Sequence, residues 1–259
     1  MGHYTSFFIF FLLFGCTPEK EAEVKIEPLD VTYQDGIYKA TYDVYDSYGW
    51  KPFVEIQVRG GIIGSANYDD INTSGDYKTQ NQWYSDTMKK ETGISPLDAA
   101  NELVDRVVAR NGGDVDTISG ATITSQRFLE LVSAALKNAQ AGKDESEILF
   151  LNDTYKVEGD RDAKGVLPSL SLTFNAGKIT SAVFNQNDIN GVQFRTDDPY
   201  NETFKNMNGV TWVETVTKIE NALILSQDPQ ALVAEKGFEL LTELIRGLAE
   251  KAQKMRMGT

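Results

Sequence analysis

The sequence has 259 residues, 41% of them hydrophobic, and a formal net charge of −13. That length suits two domains of ~100–120 residues, each able to bury a core. The acidity argues against a nucleic-acid partner, because such a surface repels phosphate backbones, and against attachment to anionic lipid by charge.

In chain order, residues 4–15 form a short apolar run, YTSFFIFFLLFG, ending in a small residue. It is too short to span a bilayer comfortably and fits the apolar core of a signal peptide. Leu13-Phe14-Gly15-Cys16 resembles a lipobox, which implies cleavage after residue 15 and lipidation of Cys16 at a membrane, on the extracytoplasmic side. An ordinary secretory signal or an N-terminal anchor is the alternative. The only histidine, His3, and the only cysteine, Cys16, both lie here. The mature chain then offers no Cys nucleophile, Ser–His relay, His-ligated metal or internal disulfide. No catalytic side chain and no metal site is assigned, so redox chemistry requires an added cofactor. Residues 17–30, TPEKEAEVKIEPLD, read as a charged tether after Cys16, reaching at most ~45–50 Å when extended.

Beyond the tether the sequence repeats. Asp35-Gly36-Ile37-Tyr38-Lys39 returns, one residue shorter, as Asp153-Thr154-Tyr155-Lys156. Pro52, Gly61, Ile63, Tyr84, Thr87, Lys89 and Gly93 match Pro168, Gly177, Ile179, Tyr200, Thr203, Lys205 and Gly209 at constant spacing. A collinear series of this kind predicts a duplicated domain, 31–145 and 146–259. Val54, Ile56 and Val58, like Leu170, Leu172 and Phe174, alternate with polar residues and predict half-buried strands, each turning at Gly61 or Gly177 into a hairpin. Ser95-Pro96-Leu97-Asp98 and Thr211-Trp212-Val213-Glu214 read as helix N-caps. Leu97, Ala100, Leu103, Val104, Val107 and Val108 follow at helical spacing. A second apolar helix face is predicted on Phe128, Leu129, Val132, Ala135 and Leu136, and another on Phe238, Leu241, Leu244, Ile245 and Leu248. The fold class is therefore α+β, in two tandem copies, each an antiparallel sheet with flanking helices.

Between the two helical stretches of the first half lies Asp116-Thr117-Ile118-Ser119-Gly120-Ala121-Thr122. It resembles the flavinylation motif D-x-x-[S/T]-G-A-T of the FMN-binding domain family. That family includes flavin subunits of the sodium-pumping NADH:quinone reductase and Rnf complexes, and flavinylated lipoproteins of extracellular electron transfer. The resemblance runs from the DGxY start to Thr122. It implies FMN joined covalently through its phosphate to Thr122 by a Mg²⁺-using FAD:protein FMN transferase, with Asp116, Ser119, Gly120 and Ala121 as the surrounding motif. A threonine hydroxyl is a poor nucleophile alone, which fits the need for a separate enzyme. Gly120 and Ala121 leave room beside it. Thr124–Gln126 is expected to open the following helix, whose N-terminus tolerates a phosphodiester. An ordinary Ser/Thr-rich capping loop is the plainer alternative.

With Phe128 aligned on Phe238, Thr122 falls on Leu232 and Ser119 on Pro229, so the second half is expected to carry no flavin. Trp50, Trp83 and Met88 face Val166, Pro199 and Phe204. As side chains missing from the second copy, they are candidates to contact the flavin ring, alongside local core roles. Tyr84 persists as Tyr200, which favours a structural role within the same site. The acidic pairs Asp69-Asp70 and Asp197-Asp198 read as solvated surface, and the Asn-x-Ser/Thr triplets at Asn72, Asn152 and Asn201 as noise. The function expected is a membrane-anchored electron carrier rather than a self-contained enzyme, fed by a membrane reductase or quinone-linked donor. A noncovalent FMN-binding lipoprotein and an interaction lipoprotein on the same scaffold are the alternatives.

Overall fold

The computed structural model describes residues 27–234 and 236–259. The apolar run, Cys16 and most of the tether lie outside these residues. In the first half, β1 (Gly36–Tyr42), β2 (Lys51–Arg59) and β3 (Ile62–Ile71) form an antiparallel sheet. They are followed by α1 (Gln82–Thr92), α2 (Pro96–Arg110) and α3 (Thr122–Ala141). In the second half, β5 (Asp153–Glu158), β6 (Leu167–Asn175) and β7 (Lys178–Asn187) form another antiparallel sheet. They precede α4 (Asp198–Asn208), α5 (Trp212–Ser226) and α6 (Glu239–Met257). The molecule is thus a mixed helix-and-sheet protein with two separate cores. A short strand, β4 (Glu147–Leu149), pairs in parallel with β1 and extends the first sheet to the order β3-β2-β1-β4. The first sheet is therefore not purely antiparallel, and its half runs past the boundary expected at residue 145, since Leu151 also packs in the first core.

Local chemistry explains the elements. In β2 and β6 every second residue is buried, as period-two strands with one covered face require. Ser95 caps α2 by accepting from the Asp98 N–H at 3.1 Å, with Pro96 in the first turn. Thr211 and Glu214 form a reciprocal capping box on α5. Asn111 ends α2 in the left-handed conformation, φ 51°, and latches it to the sheet. Its Oδ1 accepts from the Ile63 N–H at 2.9 Å and its Nδ2 donates to the Val31 carbonyl at 2.9 Å.

Several expectations need correction. Residues 82–92 and 198–208 are helices that hydrophobic spacing did not predict, because both are half-exposed and end polar-rich at Gly93 and Gly209. Leu97 is 47% exposed, and Ala99 takes the inward position instead. The helix after the motif starts at Thr122, not Thr124. Matching α3 and α6 by their caps also resets the internal alignment. Gly120 (φ 78°) and Gly237 (φ 90°) precede the caps Ala121 and Phe238, and the Ser125 and Thr242 hydroxyls donate back to those cap carbonyls. Thr122 is thereby opposite Glu239, Ser119 opposite Lys236, and Phe128 opposite Ile245. Phe238 caps α6, whereas Phe128 lies inside α3.

The halves meet along residues 43–47. Arg127 reaches Asp46 at 2.6 Å and Asp153 at 3.4 Å. Arg256 holds Asp43 at 2.9 Å and lies over the Phe174 ring, the Ser47 N–H donates to Asp153, and the Tyr155 hydroxyl donates to the Tyr45 carbonyl.

Asn111→Ala removes the acceptor of the buried Ile63 N–H and leaves an alanine at positive φ. It is expected to lower stability by about 2–4 kcal/mol, read as a lower urea midpoint with unchanged slope.

Candidate functional site

The motif loop is built by a close approach. Gly120 sits at φ 78°, and a Cβ there would stand 2.4 Å from the Thr92 carbonyl at the end of α1. Glycine is required both for the left-handed backbone and for this contact. Buried Ser125 fastens the loop from inside: its Oγ accepts from the Ile118 N–H at 3.0 Å and donates to the Ala121 carbonyl at 2.9 Å. Ala121 is buried and caps α3 with no side-chain hydrogen bond, and the first turn of α3 holds no acid. The N-terminal end of α3 thus presents N–H groups and positive dipole without a competing carboxylate. Thr122 is its first residue and is exposed.

Thr122 opens onto a cavity of about 550 Å³ between α1 and the start of α3. Trp83, Tyr84 and Met88 line one side and Gly120, Thr122 and Ile123 the other, with Thr124 and Tyr48 at the join. Its walls are mostly apolar, and Trp83 is 75% exposed at the rim. Of the residues singled out from sequence, Thr122, Gly120, Ala121, Thr124, Trp83, Tyr84 and Met88 come together here. Asp116 and Ser119 are exposed and do not line the cavity, and the Asp116 carbonyl accepts from Arg106 at 2.9 Å. Trp50 is not in the wall either. It is 6% exposed and packs edge-on against Tyr84 from behind, with ring centroids 6.0 Å apart. Sequence reading missed Tyr48, Thr87, Glu91, Thr92 and Ile123. Tyr84, Thr87, Met88 and Glu91 share one face of α1, but only Tyr84 and Met88 are apolar, so no hydrophobic period announced them.

Next to it lies a smaller, more enclosed cavity of about 310 Å³, whose walls include Tyr68, Asp70, Lys78 and Arg127, with Asp153 and Thr154 from the second half. The two cavities share Tyr48, Tyr84, Ile123 and Thr124. Asp69 and Asp70 are therefore not solvated surface. Asp69 accepts from the Thr79 N–H and hydroxyl, and Asp70 is 4% exposed with Lys78 Nζ at 3.6 Å. Burial raises the Asp70 carboxyl above its ordinary range, against the opposing pull of Lys78. Burial works to lower the Lys78 ammonium, and the charges of Asp70, Tyr84 and Asp46 more than offset it, leaving it raised. Asp198 is exposed, and the half-buried Asp197 caps α4 by accepting from the Tyr200 N–H. Among the described residues no group of three or more His, Cys, Asp or Glu is placed to hold a metal ion, and no helix is long and apolar enough to cross a membrane.

A mostly antiparallel sheet, a Gly-Ala-Thr loop at a helix start and an apolar cavity beside it together make up the candidate ligand site. The FMN-binding domain family matches residues 48–137, which hold the whole of the larger cavity. A 15 kDa lipoprotein of Treponema pallidum is 36% identical over 115 residues, covering 44% of this chain and 82% of that protein. The chain belongs to the FMN-binding domain family. Among solved structures, a crystal structure of a Clostridium perfringens protein is 31% identical and covers 46% of this chain and 98% of that one, with a TM-score of 0.45. A solution structure from Clostridium thermocellum is 29% identical over 41% of this chain and 92% of that one, with a TM-score of 0.30.

Gly120→Ala is expected to cost roughly 2–4 kcal/mol from positive φ and the clash with Thr92. Trp83→Ala, at an exposed rim, should stay within about 0.5 kcal/mol of the parent. Urea denaturation of the two variants side by side measures both.

Proposed function

We propose that the protein is a lipid-anchored, extracytoplasmic electron carrier that holds FMN by a phosphoester to Thr122. The carrying observation is the position of Thr122: an exposed hydroxyl on the first residue of α3, at the edge of an apolar cavity sized for a ligand. The cavity fits the group. Trp83, Tyr84, Met88 and Ile123 suit a planar apolar ring, and the open end of α3 suits a phosphate diester. When bound, FMN supplies reversible electron transfer, and the chain supplies placement and electrostatic surroundings.

The chain's own residues hold the site in shape. Gly120 sets the loop, Ser125 pins it, and Trp50 supports Tyr84 from behind. No described group activates the Thr122 hydroxyl, which supports attachment by an FAD:protein FMN transferase, the threonine displacing AMP from FAD. A membrane reductase or quinone-linked donor is the proposed source of electrons. The lipobox-like sequence at Cys16 and the lipoprotein relative support lipid anchoring.

We also read the second half as a flavin-free copy of the first. Its elements follow in the same order, and special contacts recur. Asn111 and Gln227 both stand at positive φ, and each accepts from the isoleucine at the second position of the return strand, Ile63 or Ile179. Asp46 and Asp162 each fold a tight loop by accepting from the N–H groups two and four residues on. Glu239 in Thr122's place has no hydroxyl to esterify.

Intact mass of the full chain exported with its transferase is expected to show a gain of FMN minus water. The gain, and flavin fluorescence in a denaturing gel, should vanish in Thr122→Ala. A yellow protein that loses all flavin on denaturation would instead establish noncovalent binding.

A further inference from the structure

We infer that the enclosed cavity formed by Tyr68, Asp70 and Lys78 is a recognition site for the imide edge of a flavin ring, the C2=O, N3–H, C4=O side. This deepens the reading of the Thr122 site and rests on it for the identity of the ring.

Three observations carry the inference. The first is an unmet hydrogen bond. Among the described residues the buried Tyr68 hydroxyl has no hydrogen-bond partner, and its residue is 5% exposed in the cavity wall. A buried hydroxyl left without a partner costs about 1–3 kcal/mol, so a group that satisfies it is expected in the cavity.

The second is the donor pattern. Tyr68 offers an O–H, Lys78 an ammonium, and Asp70 an acceptor. Asp70 is held at 3.6 Å from Lys78, beyond a short ion-pair bond, and makes no side-chain hydrogen bond of its own to Tyr68. Donor, acceptor and donor complement the acceptor, donor and acceptor of an imide edge. The shared wall of Tyr84, Ile123 and Thr124 joins this cavity to the apolar one beside Thr122. A ring with an apolar dimethylbenzene end and a polar pyrimidine end matches that division, with its polar end inward.

The third is an internal comparison. Strand pairing places Phe184 of β7 where Tyr68 stands in β3, opposite Leu170 and Val54 respectively, and Gln186 where Asp70 stands, opposite Pro168 and Pro52. The short helical turn that begins with Lys78 begins with Phe194 in the second half. There the same places close on one another. Phe184 and Phe194 pack against Trp212, whose indole N–H donates to Gln186 at 3.2 Å. The same framework therefore folds with these positions filled and mostly apolar. The hydroxyl, carboxyl and ammonium are not demanded by the fold: the Tyr68 hydroxyl is buried without a described partner, and the Asp70–Lys78 pair is costly to desolvate even when its charges offset one another.

The test uses the full chain produced without a flavin transferase, titrated with lumiflavin and with N3-methyllumiflavin by fluorescence quenching. Methylation removes the N3 donor and leaves the rest of the ring. Lumiflavin should bind at least tenfold more tightly than its N3-methyl analogue. The triple replacement Tyr68→Phe, Asp70→Gln, Lys78→Phe installs the side chains the second half already accommodates, and should bring that ratio close to one while urea unfolding stays cooperative. Tyr68→Phe alone should weaken lumiflavin several-fold and leave the ratio unchanged, because its hydroxyl faces a carbonyl. Equal binding of both flavins to the parent chain, no binding of either, or a ratio that survives the triple replacement overturns the inference. Lumiflavin carries no phosphate and the chain is produced without a transferase, so neither affinity depends on a bond to Thr122. Failure of covalent attachment and failure of imide recognition are thus read separately.

Discussion

The site depends on one close approach, Gly120 against the carbonyl of Thr92. That contact draws the motif loop onto the end of α1 and so creates the cavity, with a hydroxyl at its edge and aromatic side chains opposite. A larger side chain at residue 120 separates α1 from the start of α3. The cavity would then change shape even though its other wall residues are retained. Ser125 works with this contact from below, tying Ile118 and Ala121 into one turn so that Thr122 enters the helix with a fixed direction. Backbone geometry thus places the Thr122 hydroxyl, and side chains shape what lies around it.

Behind the loop, polar groups are concentrated on one side. Arg127 projects from the first turns of α3 to carboxylates of both halves, and Lys78 sits between Asp70 and the Tyr84 ring, 4.8 Å from its centroid. Breaking such buried pairs by removing one partner leaves an uncompensated charge, which is costly, whereas apolar replacement of the whole group is tolerated. The second half illustrates the tolerated case with Phe184, Gln186 and Phe194.

Much of this was legible in the sequence where a rule is local. Alternation in β2 and β6, the caps at Ser95 and Thr211, and the Asp116–Thr122 motif each depend on residues within a few positions of one another. What was not legible depended on partners distant in the chain. Asp69 and Asp70 look like surface in a run of acids, and only the return of Lys78 and Thr79 buries them. Trp50 differs from Val166 in a way that suggests ring contact, yet it supports Tyr84 from the interior. Phe238 resembles Phe128, and only the cap geometry shows that they occupy different turns. Helix α1 escaped notice because none of its residues is fully buried, so no apolar stripe marks it.

The segment joining the two halves has a mechanical consequence. The connection between α3 and β5 runs over residues 142–152, and its middle, residues 147–149, is also the outermost strand of the first sheet. A linker pinned to a sheet at its middle is not a free hinge. Rotation of one half against the other would have to peel β4 from β1 while also breaking the Arg256–Asp43 and Arg127–Asp153 pairs. The two halves are therefore tied to one another by strand pairing and by two ion pairs.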